Sequence, residues 1–273
     1  MSLFMAYYVH QLSPFIWEFG NGWGIRYYGL AYLLGFLAFY AGMVQFYKWG
    51  WSSLRSEQVA DLLTWLIIGI LIGGRLGYCL VYDWNHTLAD PLSIIAFWRG
   101  GISGMSSHGG MVGAIAALYF YARRAKTDFW VLADHAAILT TVGFFLGRVA
   151  NFINGELWGR PSYVPWAVIF SKASFIDDGA GIPRHPSQLY EAFGEGLLLG
   201  IILFLLRRQG WSNGKVGISF LILYGVIRII MEMFREPDEG LGFLFGGLTM
   251  GQWLSVGLVI GGGILWILRS RKG

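Results

Sequence analysis

The chain has 273 residues, of which 55% are apolar and only 13% charged, and its mean hydropathy is +0.53. A soluble domain carries about twice that charged fraction, so the composition excludes an ordinary soluble domain and indicates an integral membrane protein. The net charge of +4 is too small to indicate a nucleic-acid-binding protein, and the single cysteine, Cys79, excludes a disulfide framework or a cysteine-based metal site.

Seven stretches have the length and composition of membrane-spanning helices, which need about 20 mainly apolar residues. In chain order they are 27–47, 60–81, 107–122, 129–148, 188–206, 216–234 and 249–268. The third follows a glycine-rich segment, "WRGGISGMSSHGG", which is also compatible with a re-entrant segment covered by protein. The sequence therefore predicts an all-α integral membrane protein with seven transmembrane helices.

The basic residues predict the orientation of these helices. Seven spans place the two termini on opposite sides, and the positive-inside rule assigns the more basic loops to the cytoplasm. If the C-terminal "RSRKG" is cytoplasmic, more than half of the 20 Lys and Arg residues fall on that side. They are Lys48, Arg55, Arg123, Arg124, Lys126, Arg207, Arg208, Lys215, Arg269, Arg271 and Lys272. We therefore expect a periplasmic N-terminus and a cytoplasmic C-terminus.

The longest loop on the outer side is 155–187, between spans four and five. It contains four of the seven prolines, and its pattern is typical of a short strand pair. We expect one polytopic membrane domain, 1–273, with 155–187 inserted in it as a small periplasmic head.

Polar side chains lie at the outer ends of two predicted helices. Arg148, Asn151 and Asn154 recur every three residues, which places them on one face if the helix continues that far; the following Gly155 is a typical helix stop. An unpaired charge at mid-membrane costs from ~3 to over 10 kcal/mol, so such a face is expected to point into the helix bundle or towards water.

The second polar face is in span six, where Arg228, Glu232 and Arg235 follow an i, i+4, i+7 pattern. Arg228 and Glu232 can form an ion pair, which lowers the cost of burying either. On the same side of the membrane, Tyr28 opens span one and His108 opens span three. Segments that are distant in sequence thus bring polar groups to one membrane level.

Two arginines at headgroup depth suit a phosphate, which guanidinium groups bind in bidentate geometry. The sequence has no HExxH, GxSxG or P-loop motif, so it does not support a metal site, a serine hydrolase or a nucleotide site. The residues by themselves predict a multispan protein that handles a phospholipid headgroup from the outer leaflet.

The glutamates near these arginines have simpler interpretations. For Glu156 and Glu232, a purely structural counter-charge remains an alternative. Glu191 in "RHPSQLYE" is expected to complement the dipole of a helix that begins at Pro186 or Ser187.

The segment "GRVANFINGELWGR" (147–160) resembles the defining motif of the bacterial prolipoprotein diacylglyceryl transferase family. Four other segments also resemble the family pattern and occur along the chain in the family's order. They are "RYYGLAYLLGF" (26–36), "GGISGMSSHGG" (100–110), "RHPSQLYEA" (184–192) and "YGVIRIIMEMFREPD" (224–238). The resemblance implies seven transmembrane helices with an outer head, in the bacterial inner membrane. It also implies transfer of the diacylglyceryl group of phosphatidylglycerol to the lipobox cysteine of a preprolipoprotein signal peptide, without cofactor or metal, with a thioether and glycerol phosphate as products.

The resemblance also implies roles for individual residues. The family's key positions are Tyr28, His108, Arg148, Asn151, Glu156, Gly159, Arg228 and Glu232. We expect Arg148 and Arg228 to hold the phosphate and to stabilise the charge that grows on the departing glycerol phosphate. His108 is a candidate base for the thiol, although the arginine field could lower the thiol pKa without it.

The remaining positions are expected to support the site. Asn151 and Tyr28 would orient the headgroup, and Glu156 and Glu232 would align the arginines. Gly159 would serve the backbone geometry at the entry of the head, with Asn154 and Arg235 as further support. We expect a monomer.

Two alternatives use the same cationic pocket. One is a transporter of lipids or small anions, although neither half of the sequence mirrors the other and the polar groups gather on one side rather than at the midplane. The other is a membrane protein that senses lipid or binds lipoproteins without catalysis.

Overall fold

The computed structural model describes residues 7–20, 22–81, 83–95, 104–173, 181–237 and 242–271. This part of the chain is mainly helical. Its α-helices are α1 (Tyr27–Lys48), α2 (Ser56–Val81), α3 (Trp84–Ala89), α4 (Ser107–Ala125), α5 (Phe129–Asn154), α6 (Ser187–Glu191), α7 (Leu199–Arg208), α8 (Lys215–Glu232) and α9 (Met250–Ser270). A π-helical stretch, Ala192–Leu198, joins α6 to α7, and short 3-10 turns occur at Pro91–Ile94, Ser171–Ala173 and Phe245–Gly247.

Each of the seven predicted stretches is helical over most of its length. Within the described residues, five helices are long and apolar enough to cross a membrane: α1, α2, the whole of α5, the continuous helix Ser187–Arg208, and α9. The helices α4 and α8 lie where spans three and six were predicted, but α4 is less apolar than the five and α8 has three charges within its 18 residues. In α8 the charges are Lys215, Arg228 and Glu232, and α4 has polar residues at both ends. The chain is therefore a mainly helical integral membrane protein.

The chain divides into two compact units, Tyr40–His135 and a second unit made of Met1–Phe39 with Ala136–Gly273. In the first unit, α2 and α4 pack backbone against backbone through glycines. A Cβ built at Gly73 would overlap the carbonyl oxygen of Gly109, and one built at Gly113 would overlap that of Gly69. Small residues allow this close approach, which is a typical way for helices to associate in lipid.

The second unit contains a small three-stranded sheet. Its strands are β1 (Tyr8–His10), β4 (Val168–Phe170) and β5 (Pro183–Arg184), in the order β1-β4-β5. Strand β4 is antiparallel to β5 and parallel to β1. The strand pair predicted in 155–187 is thus confirmed, whereas the contribution of β1 was not predicted.

Between β1 and α1 the chain forms an antiparallel hairpin, β2 (Phe15–Gly20) with β3 (Trp23–Arg26). This hairpin was not predicted either. Strand β4 contributes to a small apolar core in which Phe152, from the end of α5, packs with Trp158 against Phe170.

Helix α5 continues to Asn154, as the spacing of its polar residues required. The stop at Gly155 is confirmed, because this glycine has a left-handed backbone with φ of +62°. There is also no space for a side chain, since a Cβ at Gly155 would lie 2.9 Å from Cε1 of His10. The end of α5 is thereby fixed against β1, with Arg148 and Asn151 on its last turns.

Candidate functional site

Arg148 of α5 and Arg228 of α8 meet at two shared carboxylates. Glu191 binds Arg148 Nη1 through Oε2 at 2.9 Å and Arg228 Nη1 through Oε1 at 3.1 Å. Glu195 does the same one helical turn later, with Oε2 at 3.2 Å from Arg148 Nη2 and Oε1 at 3.1 Å from Arg228 Nη1. Each glutamate thus bridges the two arginines with one oxygen apiece.

Glu232 holds the other end of the Arg228 guanidinium group. Its Oε2 lies 2.6 Å from Arg228 Nη2, so the predicted i, i+4 ion pair is confirmed. Its Oε1 accepts a hydrogen bond of 3.0 Å from the hydroxyl of Thr249, the N-cap of α9. Gln252 completes a capping box with Thr249. The N-terminus of α9 therefore faces a carboxylate, which its dipole favours.

Arg235 is the third cation of the cluster. The sequence pattern placed it on the same helix as Arg228, but this was wrong, because α8 ends at Glu232. Arg235 lies after the helix and forms an isolated β-bridge with Gly159. Its side chain still reaches the cluster, with Nη1 3.9 Å from Oε1 of Glu191.

The cluster balances three positive against three negative charges in a largely dry environment. The carboxylates of Glu191 and Glu195 are 0% and 1% exposed, while the Arg148 side chain is 18% exposed and is the most accessible of the three arginines. Buried charges are tolerated only when they are paired, and removing one partner of such a pair costs about 3–5 kcal/mol. The arrangement is therefore rigid and presents Arg148 as the cation that a ligand can contact.

A second polar network lies one turn further along α5. The Asn151 amide donates from Nδ2 to the Tyr28 hydroxyl at 3.1 Å and to Oε1 of Glu156 at 2.8 Å. Asn154 donates more weakly to the same Glu156 oxygen, at 3.4 Å. Glu156 was expected to align the arginines, but its carboxylate instead orients these two amides. Tyr28, Asn151 and Glu156 are thus brought together, as candidate site residues should be.

The loop after α5 is anchored by α6. The Gln188 side chain donates to the backbone oxygen of Glu156 at 2.6 Å, and the Ser187 hydroxyl donates to that of Leu157 at 3.1 Å. Leu157 has a positive φ of +57°, which is strained for a residue other than glycine. Helix α6 begins at Ser187, as predicted, so the same short helix anchors this loop and supplies Glu191.

Gly159 joins three segments of the chain. Its N–H donates to the carbonyl oxygen of His185 at 2.9 Å, and its own carbonyl accepts from Arg184 Nη1 at 3.1 Å. A Cβ at this position would lie 2.5 Å from the His185 oxygen and 2.6 Å from that of Phe234. The glycine is needed because two backbones pass at contact distance on either side of it.

His108 is the second residue of α4, in the unit Tyr40–His135. Its side chain lies outside the described part of the structure, as does 96–103, which includes the first six residues of the glycine-rich segment that could be re-entrant. Among the described residues, no group of three or more His, Cys, Asp and Glu side chains could hold a metal ion.

Sequence reasoning missed the two residues that organise the site. Glu191 was given only a helix-dipole role, and Glu195 was not considered. A signal was present, because two acidic residues four apart in an otherwise apolar span lie on one helix face and need partners inside the bundle. Their partners were the two arginines already singled out.

The family resemblance is confirmed by comparison with known proteins. The family model described as prolipoprotein diacylglyceryl transferase matches residues 14–268. A phosphatidylglycerol–prolipoprotein diacylglyceryl transferase of Solidesulfovibrio magneticus is 45% identical over 253 residues, which cover 90% of each chain. Proteins of the same name from Idiomarina loihiensis and Geobacter sulfurreducens are 44% and 45% identical, over 96% of this chain and 94% and 97% of their own. With matches of this extent, the chain belongs to the prolipoprotein diacylglyceryl transferase family.

Proposed function

We propose that the chain transfers the diacylglyceryl group of phosphatidylglycerol to the lipobox cysteine thiol of preprolipoproteins, and that it does so beside Arg148. The observation that carries this proposal is the buried cluster in which two glutamates fix the guanidinium groups of Arg148 and Arg228. Such a pair offers fixed N–H donors to an anionic headgroup in a water-poor site, and one turn away Asn151 and Tyr28 offer polar groups to the rest of it.

In the reaction, the cysteine sulfur attacks the glycerol carbon that carries the phosphate oxygen. A sulfur–carbon bond forms and the carbon–oxygen bond breaks, with its electron pair leaving on the phosphate of glycerol phosphate. The thiol proton passes to a base, because the thiolate is the effective nucleophile. Negative charge thus develops on the phosphate, where fixed donors act most strongly.

Arg148 and Arg228 stabilise that charge in different ways. Arg148 is the more exposed and contacts the phosphate. Arg228 is bound by three glutamates, against two for Arg148, and its side chain is less exposed, so it contributes its positive field from behind. Both arginines remain charged throughout.

The neighbouring residues orient the substrates. The Tyr28 hydroxyl accepts from Asn151, which leaves its own proton to donate to a headgroup oxygen. Glu156 holds Asn151, with Asn154 in support, while Glu232 and Arg235 hold the cluster and Gly159 the loop. His108 is the candidate base in this proposal, the alternative being that the arginine field activates the thiol without it, and neither a metal nor a cofactor takes part.

The same proposal includes the topology. Helices α4 and α8 join the five long apolar helices as spans three and six, giving seven spans in the bacterial inner membrane. The N-terminus is periplasmic and the C-terminus cytoplasmic, because this orientation places more than half of the lysines and arginines inside. The chain acts as one monomeric membrane domain, with 155–187 as a periplasmic head.

The test is an assay with purified protein, phosphatidylglycerol vesicles and a lipobox peptide, read by mass spectrometry. We expect the peptide to gain one diacylglyceryl group on cysteine, and a Cys→Ser peptide to gain none. Lipid binding without this gain would favour a sensor, and lipid or anion flux without it would favour a transporter. Either result would overturn the proposed reaction.

A further inference from the structure

Glu191 and Glu195 work against the ligand that the proposed site binds. Each carboxylate lies within 3.2 Å of the arginine nitrogens, and both are almost completely buried. A phosphate that contacts Arg148 must therefore approach two buried negative charges. Three arginines and three glutamates form a cluster with no net charge, so its attraction for an anion comes only from the orientation of the guanidinium groups.

The two sides of the reaction differ in charge. The phosphodiester of a phospholipid carries one negative charge, whereas a phosphate monoester such as glycerol phosphate carries about −1.5 to −2 near neutral pH. Arginines alone would bind the product more tightly than the substrate, since attraction grows with the charge of the ligand. A cluster without opposing charge would retain its product.

We propose that Glu191 and Glu195 are positioning residues that also set the affinity of the site, so that the doubly charged product is released. This inference rests on the proposed function. The carboxylates fix the planes of Arg148 and Arg228, and their repulsion acts more strongly on a dianion than on a monoanion. The arginines can thus stabilise the transition state without binding the glycerol phosphate product so tightly that it is retained.

The fold makes the carboxylates of Glu191 and Glu195 difficult to displace. Glu191 ends α6 and Glu195 lies in the π-helical stretch that follows, so both project from one rigid helix. Each glutamate also has separate partners on its two oxygens, and a rotation that freed one arginine would break both contacts. The negative charge therefore stays in place when a ligand enters.

The experiment compares two anions as inhibitors and as direct ligands of Glu195→Gln and the wild-type protein. Glycerol phosphate represents the dianion, and glycerophosphoglycerol, the deacylated headgroup, represents the monoanion. We expect the variant to bind glycerol phosphate about tenfold more tightly, with a smaller gain for glycerophosphoglycerol. Its kcat should fall on the order of 100-fold, because the guanidinium groups lose a fixed partner.

Three further variants make the result decisive. Glu195→Asp keeps the charge and should return the affinity ratio towards that of the wild type, and Glu191→Gln should reproduce the effect of Glu195→Gln. Glu18→Gln, on the exposed hairpin strand β2, should change neither affinity. Equal gains for both anions, or weaker binding of both, would overturn the inference, as would failure of both Gln variants to fold.

The proposed function is tested separately in the same samples. If the wild-type protein does not modify the lipobox peptide, the proposed reaction is wrong, whatever the anion affinities are. If it does, and the ratio of affinities is unchanged in Glu195→Gln, only the role of the glutamates is wrong.

Discussion

The side-chain amide of Asn151 donates a hydrogen bond of 3.1 Å to the hydroxyl of Tyr28, across 123 positions of sequence. The same nitrogen donates to Glu156, so the amide is fixed from two directions. We expect Asn151→Asp to lower transfer at least about 100-fold, because an oxygen would replace the N–H donor to Tyr28 and Glu156 and would place a second carboxylate beside Glu156. The rate of peptide modification measures this.

Asn154→Asp is the matched control for that variant. It lies on the same helix face and makes only the longer contact to Glu156, so its transfer rate should fall much less. Comparable losses in the two variants would contradict a specific role for the bond between Asn151 and Tyr28.

Replacing Arg148 or Arg228 by lysine preserves the positive charge and removes the planar guanidinium group with its several N–H donors. A single ammonium group cannot bridge two carboxylates in the way that the guanidinium groups of Arg148 and Arg228 do. We expect Arg148→Lys and Arg228→Lys each to lose about 100-fold in kcat, as loss of a fixed donor does in other enzymes. Arg208→Lys, at the exposed end of α7, should leave kcat unchanged. Normal transfer by Arg148→Lys would rule out bidentate phosphate recognition.

Gly159→Ala should destabilise the protein by about 1–3 kcal/mol, the usual cost of overpacking. The added methyl group would overlap the carbonyl oxygens of His185 and Phe234, neither of which can move without breaking a hydrogen bond. Thermal unfolding in detergent measures the loss, and transfer activity should fall with it. The control is Gly143→Ala in α5, where no atom lies within 4 Å of the added carbon. A Gly159→Ala protein as stable as this control would contradict the packing argument.

The stability of the three-stranded sheet should depend on pH through His10. Burial lowers the pKa of His10 below its ordinary value of 6.5, and nearby Lys172 acts in the same direction. His10 in the unfolded chain therefore takes up a proton more readily than His10 in the folded sheet. The stability due to neutral His10 is complete above pH 6.5 and is lost as the pH falls through the pKa of the folded state.

Hydrogen exchange of the β1 and β4 amides between about pH 8 and pH 5 measures this effect. His10→Phe keeps the ring that packs against Phe152 and Phe170, so it should reduce the slope without loss of the core. A residual slope is expected, because burial also lowers the pKa of His185. Equal slopes in the variant and the wild type would contradict the prediction, and the exposed His86→Gln serves as control.

Adjacent glycines in α4 should respond differently to substitution. A methyl group at Gly109 would overlap the Gly73 backbone of α2, whereas one at Gly110 would make ordinary contacts with Ile70, at 3.6 Å or more. We expect Gly109→Ala to lower the unfolding free energy by about 1–3 kcal/mol and Gly110→Ala to leave it nearly unchanged. Thermal unfolding of both variants in the same detergent measures the difference, and similar midpoints would argue against backbone contact between the helices.

The helices could be predicted because lipid imposes a simple rule on composition. Apolar runs of sufficient length located α1, α2, α5 and α9 within a few residues, and the glycine after Asn154 fixed the end of α5. The spacing within α5 also brought Arg148 and Asn151 onto one face. These are local properties, and a short window of sequence contains them.

What could not be predicted depends on partners that are distant in sequence. Strand β1 has only three residues, and its partner β4 is far along the chain, so no alternation identifies it. Arg235 continues the period of α8, yet the chain leaves the helix after Glu232 to pair with Gly159. Glu195 looks like an isolated acid in an apolar run until α5 and α8 place two guanidinium groups around it.

The π-helical stretch Ala192–Leu198 sets the angular phase of the helix that contains both bridging glutamates. Such a stretch holds one residue more than an α-helix of the same length, and each residue advances an α-helix by about 100°. Removing Phe193 would therefore preserve the apolar character and nearly the full length of the segment while changing the angle between Glu195 and Glu191 around the helix axis. The site depends on the number of residues per turn in this one helix, which a hydropathy profile does not predict.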